Sequence, residues 1–577
     1  MPPRLALTLL AVALAAAPGC LKIPAGEAPE APGQAQDAPP AAHLAWPGKP
    51  PGQLYSPGEV RVFTLIQGGK QIGTSWGRYD GREGDLHKFS TRTELTPPSS
   101  APNTQTSPPE PLRSAGEVVL DDRGELVRGF ERSKALDLRF ERKGDLLEFR
   151  AGREKEDLSF RTGTAFMAFA TMLHEELMFG LRRLPEGELS WRLVSLSGSL
   201  PTDYTANLVI PDPKAPTAAV VRTSLGEVIH LLDGRIQRVE VAADDLEVLT
   251  LKNPPAWPKW SIDPPATLTY APPASATFTR REVELPGQAN EPRLAGEVLI
   301  PAGKGPFPAV LFLSSTGQQD RHGFAGPPPV DLGSHEITDA LAQAGMVVLR
   351  FDERGFGSSD DGPISYLAQL EDARRGLRTL LVQDEVDPDR IAIVGHGEGG
   401  WKALELSSEG RGIKAVALLA TPGRPYEEIL KAQAKAAIES VPPELRADAR
   451  KTQDRTLQAL KTGKDVPPEL ARTGQWIREA LAVDPADLLA RGQTPILITQ
   501  GGKDFEVDPS RDPQSLQKLA KKFNRKATTQ TYPNLDHLFK NEPGESIPAN
   551  YLTPGRRVDP KFLGDLSTWL LGQLKKP

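Results

Sequence analysis

The sequence predicts an α/β fold with a mostly parallel sheet in its C-terminal half, preceded by an antiparallel β-rich region. Three observations carry that prediction. From residue 277 onward, near-continuous apolar runs of strand length alternate with helical patterns, the signature of a parallel sheet covered on both faces. From residue 54 to 253, apolar and polar residues alternate with period two between Gly- and Asp-rich turns, which predicts antiparallel hairpins. Prolines bunched at Pro254-Pro255, Pro258, Pro264-Pro265 and Pro272-Pro273 separate the two patterns and mark residues 254–276 as a stiff linker. Composition agrees: 577 residues are too many for one core, and a net charge of -6 gives no reason to expect nucleic acid as a partner.

Each element follows in order. Residues 1–20 read as a signal peptide, because Arg4 precedes the apolar run Leu5 to Ala17 and Pro18-Gly19-Cys20 follows, Cys20 being the only cysteine. That run is too short to span a membrane. Residues 21–53, rich in Pro, Ala and Gly, predict a tether that cannot bury enough surface to fold. Within 54–253, Val60 to Ile66, Gly116 to Leu120, Leu136 to Phe140 and Ala218 to Arg222 are strands, with Gln67-Gly68-Gly69-Lys70 and Asp121-Asp122-Arg123-Gly124 as turns. One helix is expected from Gly163 to Leu181, where Phe166, Met167, Phe169, Met172, Leu173 and Leu177 form an apolar core face. In the C-terminal half the strands are Ala309 to Ser314, Met346 to Phe351, Ile391 to Val394, Ala415 to Leu419, Pro495 to Gln500 and Thr528 to Tyr532. Helices are expected at Ile337 to Ala344, Leu367 to Leu381 and Trp401 to Ser407. A segment at about 422–491, with helical runs Tyr426 to Glu439, Pro443 to Leu460 and Gly474 to Leu481, is inserted before the last strands.

The chemistry-bearing motifs sit at the ends of these strands. Directly after Ile391-Ala392-Ile393-Val394 comes Gly395-His396-Gly397-Glu398-Gly399-Gly400, the frame of the G-x-S-x-G nucleophile elbow with glycine at its centre. Ser314-Ser315-Thr316-Gly317 follows an earlier strand, and Phe351-Asp352-Glu353-Arg354-Gly355-Phe356-Gly357-Ser358-Ser359 follows the next. Gln500-Gly501-Gly502-Lys503-Asp504 places a carboxylate past a strand end, and Asn534-Leu535-Asp536-His537 places a histidine past the last strand. A serine hydroxyl attacks a carbonyl only when a histidine takes its proton, and the histidine needs a carboxylate to hold its tautomer and stabilise the imidazolium.

By these motifs, taken in order, residues 277–577 resemble the α/β-hydrolases of the serine esterase and serine peptidase superfamily. The resemblance implies that Asp504 and His537 stand at the acid and histidine positions and Gly397 at the nucleophile position. It further implies an oxyanion hole at Ser315, Thr316 and Glu398, and a cap made by residues 422–491. Ser314-Ser315 stands where such proteins commonly carry His-Gly, which narrows the oxyanion pocket. No cofactor is implied, and His322 and His335 with Asp320 and Asp331 fit no metal-ligand spacing. Gly19-Cys20 resembles the lipobox of bacterial lipoproteins, which implies export and a lipid anchor on Cys20 in the cell envelope; the alternative is a secretory signal with an incidental cysteine. The β-rich region is similar to modules carried by such lipoproteins.

Gly397 divides the functional expectation. Glycine removes both the strain of the elbow and the attacking atom. One expectation is a disabled hydrolase that binds a small acyl-ester or peptide-like ligand. The other is a working ester or peptide hydrolase that uses water activated by His537 and Asp504, or a hydroxyl from Ser315 or Thr316.

Overall fold

A computed structural model describes residues 45–96, 111–315 and 319–576, less interruptions of at most six residues. Cys20 and Thr316 lie outside the described residues. The described chain falls into two compact units, the first reaching Ala266 and the second made of Thr267–Glu439 and Pro443–Pro577.

The first unit is built on a 15-stranded sheet in which nearly every strand pairs antiparallel with its neighbour in sequence. Strands Val60–Gln67 and Lys70–Glu83 are joined by Gly68 and Gly69 at φ 58° and 71°. This two-residue turn needs positive φ at both positions, which is why glycine occupies them. Alternate residues Phe63, Phe89, Val118, Leu208, Ile229 and Val239 point to one face and form the core. The helix on that face is Leu173–Gly180, shorter than the span Gly163 to Leu181 read from the apolar pattern. Phe166–Met167 instead pair in parallel with Val194 and Ser195, because a short apolar run satisfies a strand as readily as a helix. Phe169 and Met172 fall outside the described residues. The helix is pinned by Glu176, which is fully buried yet takes a bidentate bond from Arg61 (3.0 and 2.7 Å), a bond from the Tyr55 hydroxyl (2.8 Å) and one from the Ile236 N–H (2.8 Å).

The proline-rich stretch does not stand free along its length. Trp257 lies under the Arg78 guanidinium at 4.4 Å, and Trp260 lies under Arg113 at 5.4 Å, so its first half packs on the arginines of the β-rich unit. Tyr270, in its second half, belongs to the other unit: it stacks on His322 at 4.3 Å and donates its hydroxyl to Asp339 at 2.8 Å.

In the second unit the strands of an eight-stranded sheet are β1 (Phe278–Leu285), β2 (Leu294–Pro301), β3 (Phe307–Leu313), β4 (Val347–Phe351), β5 (Val386–His396), β6 (Ile413–Leu419), β7 (Ile496–Gly501) and β8 (Ala527–Tyr532). Their spatial order is β1-β2-β4-β3-β5-β6-β7-β8. Strand β2 is antiparallel to both of its neighbours and the rest of the sheet is parallel. The parallel strands are continuous apolar runs because helices cover both faces. Leu370, Leu377, Trp401 and Leu404 pack on one side, and Ile337, Leu341, Phe562 and Leu566 on the other. The inserted segment forms helices Tyr426–Glu439, Arg446–Thr462, Gly474–Ala480 and Pro485–Ala490. Ile429, Leu430, Leu457, Leu460, Trp476 and Ile477 of these helices join the core on the first of those faces.

Candidate active site

Strand β5 runs to His396 and the next helix begins at Gly399, so Gly397 and Glu398 make the turn between them. Gly397 has φ 54°, the left-handed backbone that costs a side chain on the order of 1 kcal/mol or more. Its N–H donates to the Leu419 carbonyl at 2.8 Å, which fixes the turn against β6. The glycine at 399 is forced by packing, since a Cβ there would come within 2.4 Å of the Leu313 carbonyl oxygen at the end of β3. The strand-turn-helix geometry read from Gly395 to Gly400 is therefore present, with no side chain at its tip.

Across from the turn, the loop after β7 carries Asp504 and the loop after β8 carries His537. Asp504 is buried and accepts bonds at Oδ1 from the Glu506 and Val507 N–H groups (2.8 and 2.9 Å). Its Oδ2 takes bonds from Gln500 Nε2 and His537 Nδ1, each at 2.8 Å. The His537 loop is shaped by Asp536, whose Oδ1 accepts from the Leu538 and Lys540 N–H groups (3.0 Å each) while Oδ2 accepts from Arg556 (2.7 Å). His396 reaches across from the turn: its ring stacks on His537 at 4.7 Å, and its Nε2 bonds to the His537 carbonyl at 2.9 Å. That bond makes Nε2–H the donor, and burial, helped by the neighbouring His537 charge, pushes His396 down to about 3, so it is neutral.

A family model described as serine aminopeptidase, S33 matches residues 333–544, the stretch that holds the turn, Asp504 and His537. Esterase EstD of Thermotoga maritima is 28% identical over 284 residues, 48% of this chain and 65% of the esterase's own length. The C-terminal unit has an α/β-hydrolase fold. The uncharacterized protein YfhR of Escherichia coli K12 matches a shorter stretch of this α/β-hydrolase unit, 31% identical over 119 residues, or 19% of this chain and 40% of that protein. Among solved structures, the esterase Pf2001 of Pyrococcus furiosus aligns with a TM-score of 0.36 at 14% identity over 54% of this chain and 98% of its own. Est1E of Butyrivibrio proteoclasticus with ferulic acid aligns with a TM-score of 0.34 at 17% identity over 51% of this chain and 100% of its own.

Two features of this site lie beyond the Asp504–His537 pair, the first at a residue the sequence already offers as an oxyanion or alternative hydroxyl group and the second at one it does not single out. Ser315, at the start of the loop after β3, turns its hydroxyl into the space above Gly397: a Cβ on Gly397 would lie 2.4 Å from Ser315 Oγ. The same hydroxyl donates to Glu398 Oε2 at 3.3 Å. Glu506, two residues past Asp504, is the second. Its Oε2 lies 3.9 Å from His537 Nε2, and its Oε1 accepts from the Tyr551 hydroxyl at 2.6 Å. Nothing in the spacing of Glu506 or Tyr551 announces this, because both reach the site from irregular loops. Burial alone would push His537 down, but the charges of Asp504 and Glu506 outweigh it and raise the imidazole to about 10. Burial pushes the Glu506 carboxyl up to about 7 against the pull of His537. His537 Nε2 is buried and makes no hydrogen bond among the described residues.

Of the four residues that fit no metal-ligand spacing in the sequence, Asp331 and His335 come together with Glu336, so that one ligand atom of each lies within 4.8 Å of the others. The Lys540 ammonium donates to the Asp331 carbonyl at 2.6 Å, and Arg557 lies 3.7 Å from Glu336. The Lys540 ammonium also lies 3.9 Å from the Asp331 carboxylate, so a cation of the chain stands near each of these two carboxylates. His322 bonds to Glu297 (3.0 Å), stacks on Tyr270 and meets the first group through its carbonyl, 3.1 Å from His335 Nδ1.

Proposed function

We propose that this chain is an envelope protein, exported and lipid-anchored through Cys20, whose α/β-hydrolase unit binds a small acyl-ester or peptide-like ligand without turning it over by the serine route. The observation that carries the reading is Gly397 at the tip of the turn, with φ 54° and no hydroxyl, while its neighbour His396 stacks on the histidine of a buried Asp504–His537 pair. Loss of a triad nucleophile removes on the order of a million-fold in turnover, while binding and oxyanion donors survive it. The esterase names among the relatives suggest an acyl ligand, and β-rich unit, Trp-anchored linker and hydrolase unit together suit a tethered receptor for it. Metal and cofactor play no part in the reading.

A second reading, hydrolysis by water, is favoured by His537 Nε2, which makes no hydrogen bond among the described residues and is the atom that would take a proton from water. An imidazole raised to about 10 is protonated at neutral pH, so this route would rise steeply toward alkaline pH. The test is hydrolysis of a short-chain p-nitrophenyl ester by the native protein beside His537→Ala from pH 6 to 10. The binding reading expects the two to coincide at background throughout; turnover that depends on His537 sinks it.

A further inference from the structure

We propose that Ser315 and Glu506, and not Gly397 alone, lock this site out of serine chemistry: Ser315 fills the seat of the nucleophile's side chain, and Glu506 faces the histidine nitrogen that would serve it. The inference rests on reading residue 397 as the nucleophile position and names what holds that position closed.

The steric half is carried by distances. An added Cβ at 397 would lie 2.4 Å from Ser315 Oγ, 3.1 Å from Ser315 Cβ and 3.6 Å from Ser315 Cα. Turning the Ser315 hydroxyl aside relieves the first contact and leaves the second, because Cβ moves only with the backbone of its loop. The rotamer is moreover held by the bond to Glu398 Oε2. A serine at 397 therefore adds a side chain where one already sits, on a backbone at φ 54° that leaves it little freedom to retreat. Ser315 is buried, so its hydroxyl has no open solvent to swing into.

The electrostatic half concerns His537 Nε2. In a serine triad this nitrogen takes the nucleophile's proton while the other is held by the acid. Here Nδ1 is held by Asp504 at 2.8 Å, but the charged atom nearest Nε2 in the ion pairs of the site is Glu506 Oε2 at 3.9 Å. A carboxylate on each side favours the imidazolium, which has no lone pair to receive a proton. The Tyr551 bond at 2.6 Å, with the Tyr551 ring packed on Phe505 at 5.3 Å, holds Glu506 in that place.

The experiment is the rate of labelling by a fluorophosphonate probe, in which a serine Oγ bonds to phosphorus, fluoride leaves and the proton passes to His537. Four full-length proteins are compared at pH 7.5: native, Gly397→Ser, Gly397→Ser with Ser315→Gly, and the same pair with Glu506→Gln. Peptide mass spectrometry locates the label, and circular dichroism confirms that each variant is folded. The expected result is background labelling of the first two, labelling at residue 397 at least about tenfold faster in the double variant, and a further gain in the triple variant that moves its pH profile to lower pH. Labelling of Gly397→Ser as fast as the double variant overturns the lock and leaves the reading of residue 397 standing. Folded double and triple variants that both stay unlabelled overturn the lock and the reading together. Glu506→Gln that leaves both rate and pH profile unmoved removes Glu506 from the proposal. Native protein labelled at Ser315 overturns it outright, since Ser315 would then attack rather than obstruct.

Discussion

The two sides of the site differ in how fully their groups are partnered. On the acid side every polar atom of Asp504 has its partner: Gln500, His537 and the N–H groups of Glu506 and Val507. On the turn side Gly397 has the backbone of an elbow and no side chain, and a neighbouring serine occupies the room. The acid and histidine are tied into the stability of the loops that carry them, whereas the attacking hydroxyl at such a turn costs strain and supports nothing else. On the proposed reading, chemistry is cheap to lose at the turn side and expensive to lose at the acid side.

That contrast can be broken by mutation. The largest effect is expected from Asp504→Ala, which strands a buried imidazolium and three other donors; unfolding in urea should lose about 3–5 kcal/mol, and a loss below 1 kcal/mol would show that the acid side is not the costly one. Next, Gly399→Ala drives a methyl to 2.4 Å from the Leu313 carbonyl and 2.5 Å from the Ser314 carbonyl, and should cost about 1–3 kcal/mol in the same measurement. Gly397→Ala should cost about 1 kcal/mol from its left-handed backbone and a further amount from the contact with Ser315, and only the second part should be recovered when Ser315→Gly is added.

A pH series sharpens the same comparison without mutation. His537 is raised to about 10 and Glu506 to about 7, both above their ordinary values. A group whose folded pKa is raised contributes stability that is complete below its unfolded pKa and is lost as pH climbs through the folded one. The Glu506 contribution should therefore fade between the usual carboxylate range and about pH 7, and that of His537 between about pH 6.5 and 10. Urea midpoints at pH 5, 8 and 10 measure both, and the first decrement should vanish in Glu506→Gln. Imidazole NMR should find His537 protonated and His396 neutral at pH 7; the reverse assignment would remove the electrostatic part of the account.

Much of this architecture was legible because it is written in local order. Gly395 to Gly400 after an apolar strand, Asp504 after another and His537 after the last could be read by eye, since each follows a strand end. Strands β1 and β2 were missed: Thr279, Arg280, Arg281 and Glu282 make β1 an exposed edge with no apolar run to notice. The expected helix from Gly163 was too long because Phe166 and Met167 suit either period. Ser315 is named as a site residue by its place after an apolar strand, but the direction its hydroxyl takes is not, and Glu506 is not named at all. The Ser315–Glu398 contact joins the loops after β3 and β5 and the Glu506–His537 contact those after β7 and β8, and no spacing along the chain encodes a distance between loops.

The β-rich sheet carries a consequence for how the chain reaches its structure. Most of its strand pairs close through short connections, but Leu246–Thr250 pairs with Val60–Gln67, joining segments about 180 residues apart. Loop-closure entropy grows only with the logarithm of length, so this seam costs little in final stability, yet it must wait until its two ends are brought together. Hairpins on either side should therefore acquire amide-exchange protection first, and the bonds between Leu249 and Thr64 last.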